Sequence, residues 1–450
     1  MPTKVMIGHG RGAGHDSGTA ISEPGRRELI DDFQATRRLS ERLCEPLEAE
    51  DCVIQASPDV SPTKWHLAHT TWFFETFLLA SFVRDYQPVR AEYSYLFNSY
   101  YQAVGPRHAR PQRGFLSRPT VAEVFAYRAA INERMLELLS GADDAVWSQI
   151  APLVVLGINH EQQHQELMLT DLKFNFSVNP TRPAYRELTK GKDGGANNGT
   201  RPTTLGWIPF SGGVHEIGHN GSGFCYDNEL PLHRVYLQDY QLADRLITNG
   251  EYLEFMEAGG YAEPRFWLAD GWDWVQREGI RAPLHWERDD GDWLTFTLGG
   301  AMDVNTAEPV SHVSFYEAEA FATWKGCRLA TEAEWEVAAR SGEDSITEGN
   351  FLENDVLHPQ PPHHASGEAG PFQMLGDVWE WTGSAYLPYP GYKPAEGALG
   401  EYNGKFMSGQ MVLKGGSCVT PRSHIRAAYR NFFQPDKRWQ FTGIRLAADL

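Results

Sequence analysis

The chain has 450 residues, 41% of them hydrophobic and 12% aromatic, enough for two or three cored domains rather than a disordered polymer. Its formal net charge of -19 repels phosphate backbones and anionic bilayers, which argues against nucleic acid or membrane surfaces as partners. No apolar run approaches the about 20 residues that span a bilayer.

Residues 1–25 mix Gly, Ser, His and charges without an apolar core, which predicts a flexible tail and no secretory signal. Five cysteines, Cys44, Cys52, Cys225, Cys327 and Cys418, form no CxxC pair, so a disulfide framework is not expected and a reducing cytoplasm is. Helical patterning then begins, with a first segment from about Arg26 to Leu47. Ser61-Pro62 predicts a helix start with Ser61 as N-cap, opening an apolar helix through about Phe82. The sequence Thr120-Val-Ala-Glu123 is a capping box for a third helix, to about Ser140, and a fourth runs from about Asp144 to Phe176. These four helices over residues 26–180 predict an antiparallel bundle, with residues 84–117 as a crossover. Residues 181–205, rich in Gly, Asn, Lys and Pro, predict a linker. From 206 to 450 short strands, Gly, Trp and loops dominate, and Ser314-Phe-Tyr-Glu317 and Thr331-Glu-Ala-Glu334 are further capping boxes. The second half therefore predicts a compact α+β domain.

His160-Glu-Gln-Gln-His164 falls inside the fourth helix, where positions i and i+4 share a face and both imidazoles can reach one metal. Leu153, Leu156 and Leu167 lie on the same stripe. The letters also match the HExxH of zinc proteases, in which the glutamate is a general base. A third ligand has to come from Trp65-His66-Leu-Ala-His69; His69 has Trp65, Trp72 and Phe73 at i-4, i+3 and i+4, while His66 suits a packed or capping role, and spacing prefers His69 only weakly. Three neutral imidazoles would bind one face of a first-row divalent metal and leave other positions open, zinc included.

The N-terminal half, with His69 and the His160–His164 pair, resembles the DinB-like bundle of ergothioneine-pathway sulfoxide synthases. The C-terminal half resembles the C-type-lectin-like domain of formylglycine-generating enzymes, through Trp207-Ile-Pro-Phe, Cys327-Arg-Leu-Ala-Thr-Glu-Ala-Glu-Trp335, Gly376-Asp-Val-Trp-Glu-Trp381, Lys414-Gly-Gly-Ser417 and Phe441-Thr-Gly-Ile-Arg445. The fold class that follows is an α bundle joined to an α+β domain. The resemblance implies iron(II) on His69, His160 and His164, with Glu161 an ordinary helix residue. It implies oxidative joining of cysteine to hercynine (trimethylhistidine) with O2, giving a carbon–sulfur sulfoxide. The reactive cysteine pair of true formylglycine-generating enzymes would fall near Thr420 and Ile425, and only Cys418 is close, so that family's copper–thiolate chemistry is not expected.

The resemblance implies further roles. Tyr100 or Tyr101, in the crossover, corresponds to paired tyrosines of the cysteine-using branch and is a candidate proton donor. Gln163 corresponds to the glutamine that bonds the substrate imidazole, and Asn431 to the asparagine that holds the betaine portion. Phe432 offers a π-face to the trimethylammonium, and Arg107 and Arg110 suit the carboxylate of the thiol substrate. Phe433 and Lys437 stand where the γ-glutamylcysteine branch has an acid and an arginine, which favours free cysteine. Rival readings are a histidine-using synthase, a selenosugar-using synthase, a DinB-like thiol transferase or hydrolase, and a lectin-like binding module with an inert bundle. The sequence does not give the oligomeric state.

Overall fold

The computed structural model describes residues 23–187, 204–341, 348–362 and 370–450. The tail before residue 23 and most of the anticipated linker lie outside these residues. The chain divides into two compact units between Val178 and Asn179, and Pro394–Asn403 returns to the first unit. That excursion was not anticipated from the sequence.

The first unit is built on four helices: α1 (Glu23–Arg42), α2 (Thr63–Phe74), α3 (Val121–Gly141) and α4 (Asp144–Ser177). Helix α1 begins within the stretch expected to be a tail. The Thr120 capping box forms at the start of α3, and the Asp143 side chain caps α4 by accepting from the Val146 N–H at 2.9 Å. The start of α2 differs from expectation by one residue. Pro62, extended at φ -61° and ψ 142°, takes the N-cap position, so Ser61 is too early to cap and its hydroxyl instead accepts from Arg113 at 2.8 Å. Every residue of α2 is buried, as befits a central helix packed against α3 and α4.

A charged cluster lies inside this bundle. Glu161 on α4 receives Arg37 of α1 at 2.7 Å, Arg128 of α3, and the Ser40 hydroxyl at 2.6 Å. Arg37 reaches on to Asn132 at 2.7 Å and Thr71 at 2.9 Å, so this one network joins all four helices. Gly157, also on α4, lets α2 come close: a Cβ there would lie 2.5 Å from the Phe74 ring and 3.1 Å from that of Phe73.

The second unit contains two four-stranded sheets, a three-stranded sheet of β5 (Trp286–Asp289), β6 (Asp292–Thr297) and β7 (Gly300–Asp303), and a hairpin of β2 (Gly213–Ile217) and β3 (His233–Leu237) among its described residues. One sheet runs β1 (Trp207–Phe210), β4 (Tyr240–Ala243), β13 (Leu446–Asp449), β8 (Arg328–Leu329), with neighbours antiparallel. The other runs β11 (Asn431–Phe433), β10 (Met411–Lys414), β9 (Trp379–Ala385), β12 (Thr442–Gly443). Its core holds Trp335, Trp379 and Trp381, and Arg445 pairs with the buried Glu380 at 2.8 Å. The Ser314 and Thr331 caps both form. Residues 420 and 425 are buried threonine and isoleucine, and all five cysteines are free.

Two predictions follow from the bundle. Gly157→Ala should lower stability by about 1–3 kcal/mol in chemical denaturation, because the new methyl group meets an aromatic ring that cannot retreat. Glu161→Gln should cost about 3–5 kcal/mol at neutral pH, since it takes the paired carboxylate from the buried Arg37 and leaves the buried Arg128 with Glu41 alone. Burial alone would raise the Glu161 carboxyl, but Arg128, Arg37 and Ser40 outweigh it and hold it at about 2. The folded value lies below the unfolded one of about 4.3, so this stabilisation is complete above that pH and fades as pH falls toward the folded value. The gap between wild type and Glu161→Gln should therefore shrink on acidification.

Candidate metal centre

His69 on α2 and His160 and His164 on α4 each offer a nitrogen within 4.8 Å of the others. The His69 ring is held between Trp65, stacked at 4.6 Å, and Trp72, stacked at 5.5 Å. Its Nδ1–H donates to the Phe97 carbonyl at 2.6 Å, which leaves a lone pair on Nε2. His160 Nε2 lies 3.2 Å from His69 Nε2. His160 Nδ1 is buried and has no hydrogen-bond partner among the described residues, so none of them fixes its proton and Nε2 is free to face a cation. The donor set therefore fits a divalent first-row metal.

All three imidazoles are neutral at physiological pH, the form that ligates. Burial pushes His160 down to about 4, against an opposing pull from Glu161. Burial and then the neighbouring imidazoles, His160 foremost, hold His69 and His164 well below the usual histidine range. Glu161 is more than the ordinary helix residue anticipated. Its two oxygens are committed to arginines and a serine, which leaves no free carboxylate to act as a protease-type base.

The crossover brings further residues to this region of the bundle. Ser99 Oγ is 3.5 Å from His69 Nε2. The Tyr100 hydroxyl accepts from Arg110 at 3.2 Å, and Arg107 donates to the Ser99 carbonyl at 2.6 Å. Burial would raise the Tyr100 phenol, but Arg110, Arg113 and Arg107 outweigh it and make it more acidic than an ordinary tyrosine. Tyr101 is a different case. It packs against Trp72 at 5.8 Å and Phe77 at 5.2 Å, and burial drives its phenol upward. The Asn98 amide bridges Tyr101, donating to its carbonyl at 3.0 Å and accepting from its N–H at 3.1 Å. The returning segment braces the same loop: Glu401 accepts from the Gln102 and Ala103 N–H groups, each at 2.9 Å, and Tyr402 lies edge-on to Tyr100 at 6.0 Å.

Gln163 follows on α4, half-buried and next to His164. In the second unit Asn431 sits on β11, opposite Leu413 of β10, and its Oδ1 accepts from the Phe432 N–H at 2.9 Å. Phe432 stacks on Tyr386 at 4.0 Å and lies 5.9 Å from Phe406, so packing already uses its ring. Sequence reasoning missed Arg113, whose guanidinium covers the Trp65 ring at 3.3 Å and which burial pushes down to about 9. It also missed Asp171, bonded to His66 at 3.0 Å. A signal for Asp171 existed: it lies seven residues after His164, on the same helix stripe.

Replacing any of His69, His160 or His164 by alanine should abolish stoichiometric metal binding, measured by elemental analysis after desalting, while far-UV circular dichroism keeps its helical signal. Retention of metal by all three variants would place the centre elsewhere.

A model of the DinB superfamily matches residues 32–168, and a model of the sulfatase-modifying factor enzyme 1-like domain matches residues 196–450. The hercynine oxygenase of Mycolicibacterium smegmatis is 34% identical, with 94% of this chain and 99% of the relative covered. That of Mycobacterium tuberculosis is also 34% identical, covering 91% of this chain and 96% of its own. Ergothioneine biosynthesis protein 1 of Schizosaccharomyces pombe is 28% identical over 50% of this chain and 27% of its own length. With near-complete coverage of such relatives and both of its domains matched in order, the chain belongs to the hercynine oxygenase family of ergothioneine-pathway sulfoxide synthases.

Proposed function

We propose that this chain binds iron(II) at His69, His160 and His164 and joins cysteine to hercynine with O2. The observation that carries the reading is a set of three neutral imidazoles whose nitrogens lie within 4.8 Å of one another, next to a loop of arginines and a phenol. Thiol, ring C–H and O2 become sulfoxide and water, so both oxygen atoms and both hydrogens are accounted for. Iron held by His69, His160 and His164 would bind the substrate thiolate and activate O2.

The protein's own residues set the outcome. Arg107 and Arg110 provide positive charge for the cysteine carboxylate, and Arg110 Nε is a buried donor with no partner among the described residues. Tyr100 is the better proton donor of the pair, because its arginine neighbours acidify it, whereas Tyr101 is fixed among Trp72 and Phe77. Gln163 is assigned to the substrate imidazole, and Asn431 with Phe432 to the betaine end. The side chains at the places where the γ-glutamyl group would need an acid and an arginine are occupied otherwise: Phe433 packs on Trp439 at 5.1 Å, and Lys437 is 3.3 Å from Asp436. The five free cysteines support a reducing compartment such as the cytoplasm.

The reading is tested by product mass after aerobic incubation of the iron-loaded chain with hercynine and a thiol. Cysteine should give the sulfoxide with a higher kcat/KM than γ-glutamylcysteine; preference for the dipeptide contradicts the assignment. Tyr100→Phe should slow carbon–sulfur bond formation by about 10²–10⁴ and shift product toward cysteine sulfinic acid. Tyr101→Phe should largely keep the parent ratio. If Tyr100→Phe makes sulfoxide at the parent rate, the proton comes from elsewhere.

A further inference from the structure

His66 is buried one turn before His69 on α2, yet it belongs to no ligand set. Its two ring nitrogens are both engaged. Nδ1 lies 2.8 Å from His164 Nδ1, and Nε2 lies 3.0 Å from Asp171 Oδ2. The same Asp171 oxygen accepts the Ser61 N–H at 2.8 Å, which pins the carboxylate just before α2. His66 and Asp171 are 2% exposed each, so no bulk water competes for these bonds.

Proton counting along this chain has one solution. As a carboxylate, Asp171 offers only lone pairs to His66, so His66 Nε2 carries the proton. A neutral His66 has one ring proton, so its Nδ1 presents a lone pair. Two lone pairs repel at 2.8 Å, so His164 Nδ1 must be the donor in that contact. His164 Nε2 is then left with its lone pair, the atom and the electron pair a metal requires.

We infer that His66 and Asp171 are positioning residues that lock His164 in its Nδ1–H tautomer and so pre-form one of the three metal ligands. The inference rests on the metal-centre reading. It also gives His66 a purpose beyond packing. His69 has its own lock in the Phe97 carbonyl, whereas His160 Nδ1 has none among the described residues. Two ligands are thus set in advance and the third adapts. Outer-sphere hydrogen bonds of this kind typically contribute 10–100-fold to metal affinity.

The test compares iron(II) affinity, by anaerobic competition with a chromophoric chelator, for wild type, His66→Leu and His66→Gln. Leucine keeps apolar volume and removes both hydrogen bonds. Glutamine retains an acceptor for His164 and a donor for Asp171 on one planar group. Affinity should fall by about 10–100-fold in His66→Leu and return near wild type in His66→Gln. Equal affinity in wild type and His66→Leu would overturn the inference, as would equal weakening in both variants, which is what lost packing alone produces. If wild type itself binds no iron, the metal-centre reading fails instead, so the two failures are distinct. Should His66→Leu not fold, ¹⁵N-histidine NMR of the metal-free wild-type chain decides the matter. It should show His66 protonated on Nε2 and His164 on Nδ1; His164 protonated on Nε2 overturns the assignment.

Discussion

The first unit depends on bringing α2 and α4 close enough for three uncharged imidazoles to share one point while the Glu161 carboxylate, between two of them in sequence, is turned to another face. One six-residue stretch of α4, residues 160–165, manages the separation. A helix advances about 100° per residue, so positions 160 and 164 point one way and 161 and 165 point to the neighbouring face. The first pair meets His69. The second pair meets α1, where Glu161 takes Arg37 and Ser40, and Gln165 donates to the Thr36 carbonyl at 2.9 Å and the Ser40 hydroxyl at 3.0 Å. Gly157 supplies the space that this close approach needs. Neutral donors at the site and paired charges beside it are thus two consequences of one helix register.

The site also has a local charge opposite to that of the whole molecule. A chain of formal charge -19 places Arg107, Arg110 and Arg113 around one tyrosine. The global charge disfavours polyanions, while the local arginines suit a small carboxylate and sharpen the acidity of the phenol beside it. The loop that carries this tyrosine has little regular structure of its own, and it is held by side chains instead: Asn98 from within the loop and Glu401 from the segment that returns to the bundle late in the chain. Residues from distant parts of the sequence thereby determine how the Tyr100 phenol is presented.

Much of this was legible in the sequence, and the exceptions have physical causes. The i, i+4 histidines and the capping boxes at Thr120, Ser314 and Thr331 are local patterns, and local geometry reproduces them. Ser61 fails as an N-cap because an extended Pro62 can occupy that position itself, a competition of one residue that composition cannot settle. Tyr100 and Tyr101 are chemically identical in sequence and diverge only through what surrounds them, arginines for one and aromatic rings for the other. Glu161 looked ordinary because its partners, Arg37 and Arg128, come from two other helices. The Pro394–Asn403 excursion leaves no periodic signature at all, since short irregular segments dock through a few side chains rather than a repeating face.

Iron K-edge X-ray absorption of the anaerobically loaded wild-type chain tests the central claim most directly. One iron per chain should show the multiple-scattering pattern of three imidazoles, matching His69, His160 and His164. A first shell made only of light oxygen donors, without the imidazole pattern, would contradict the account.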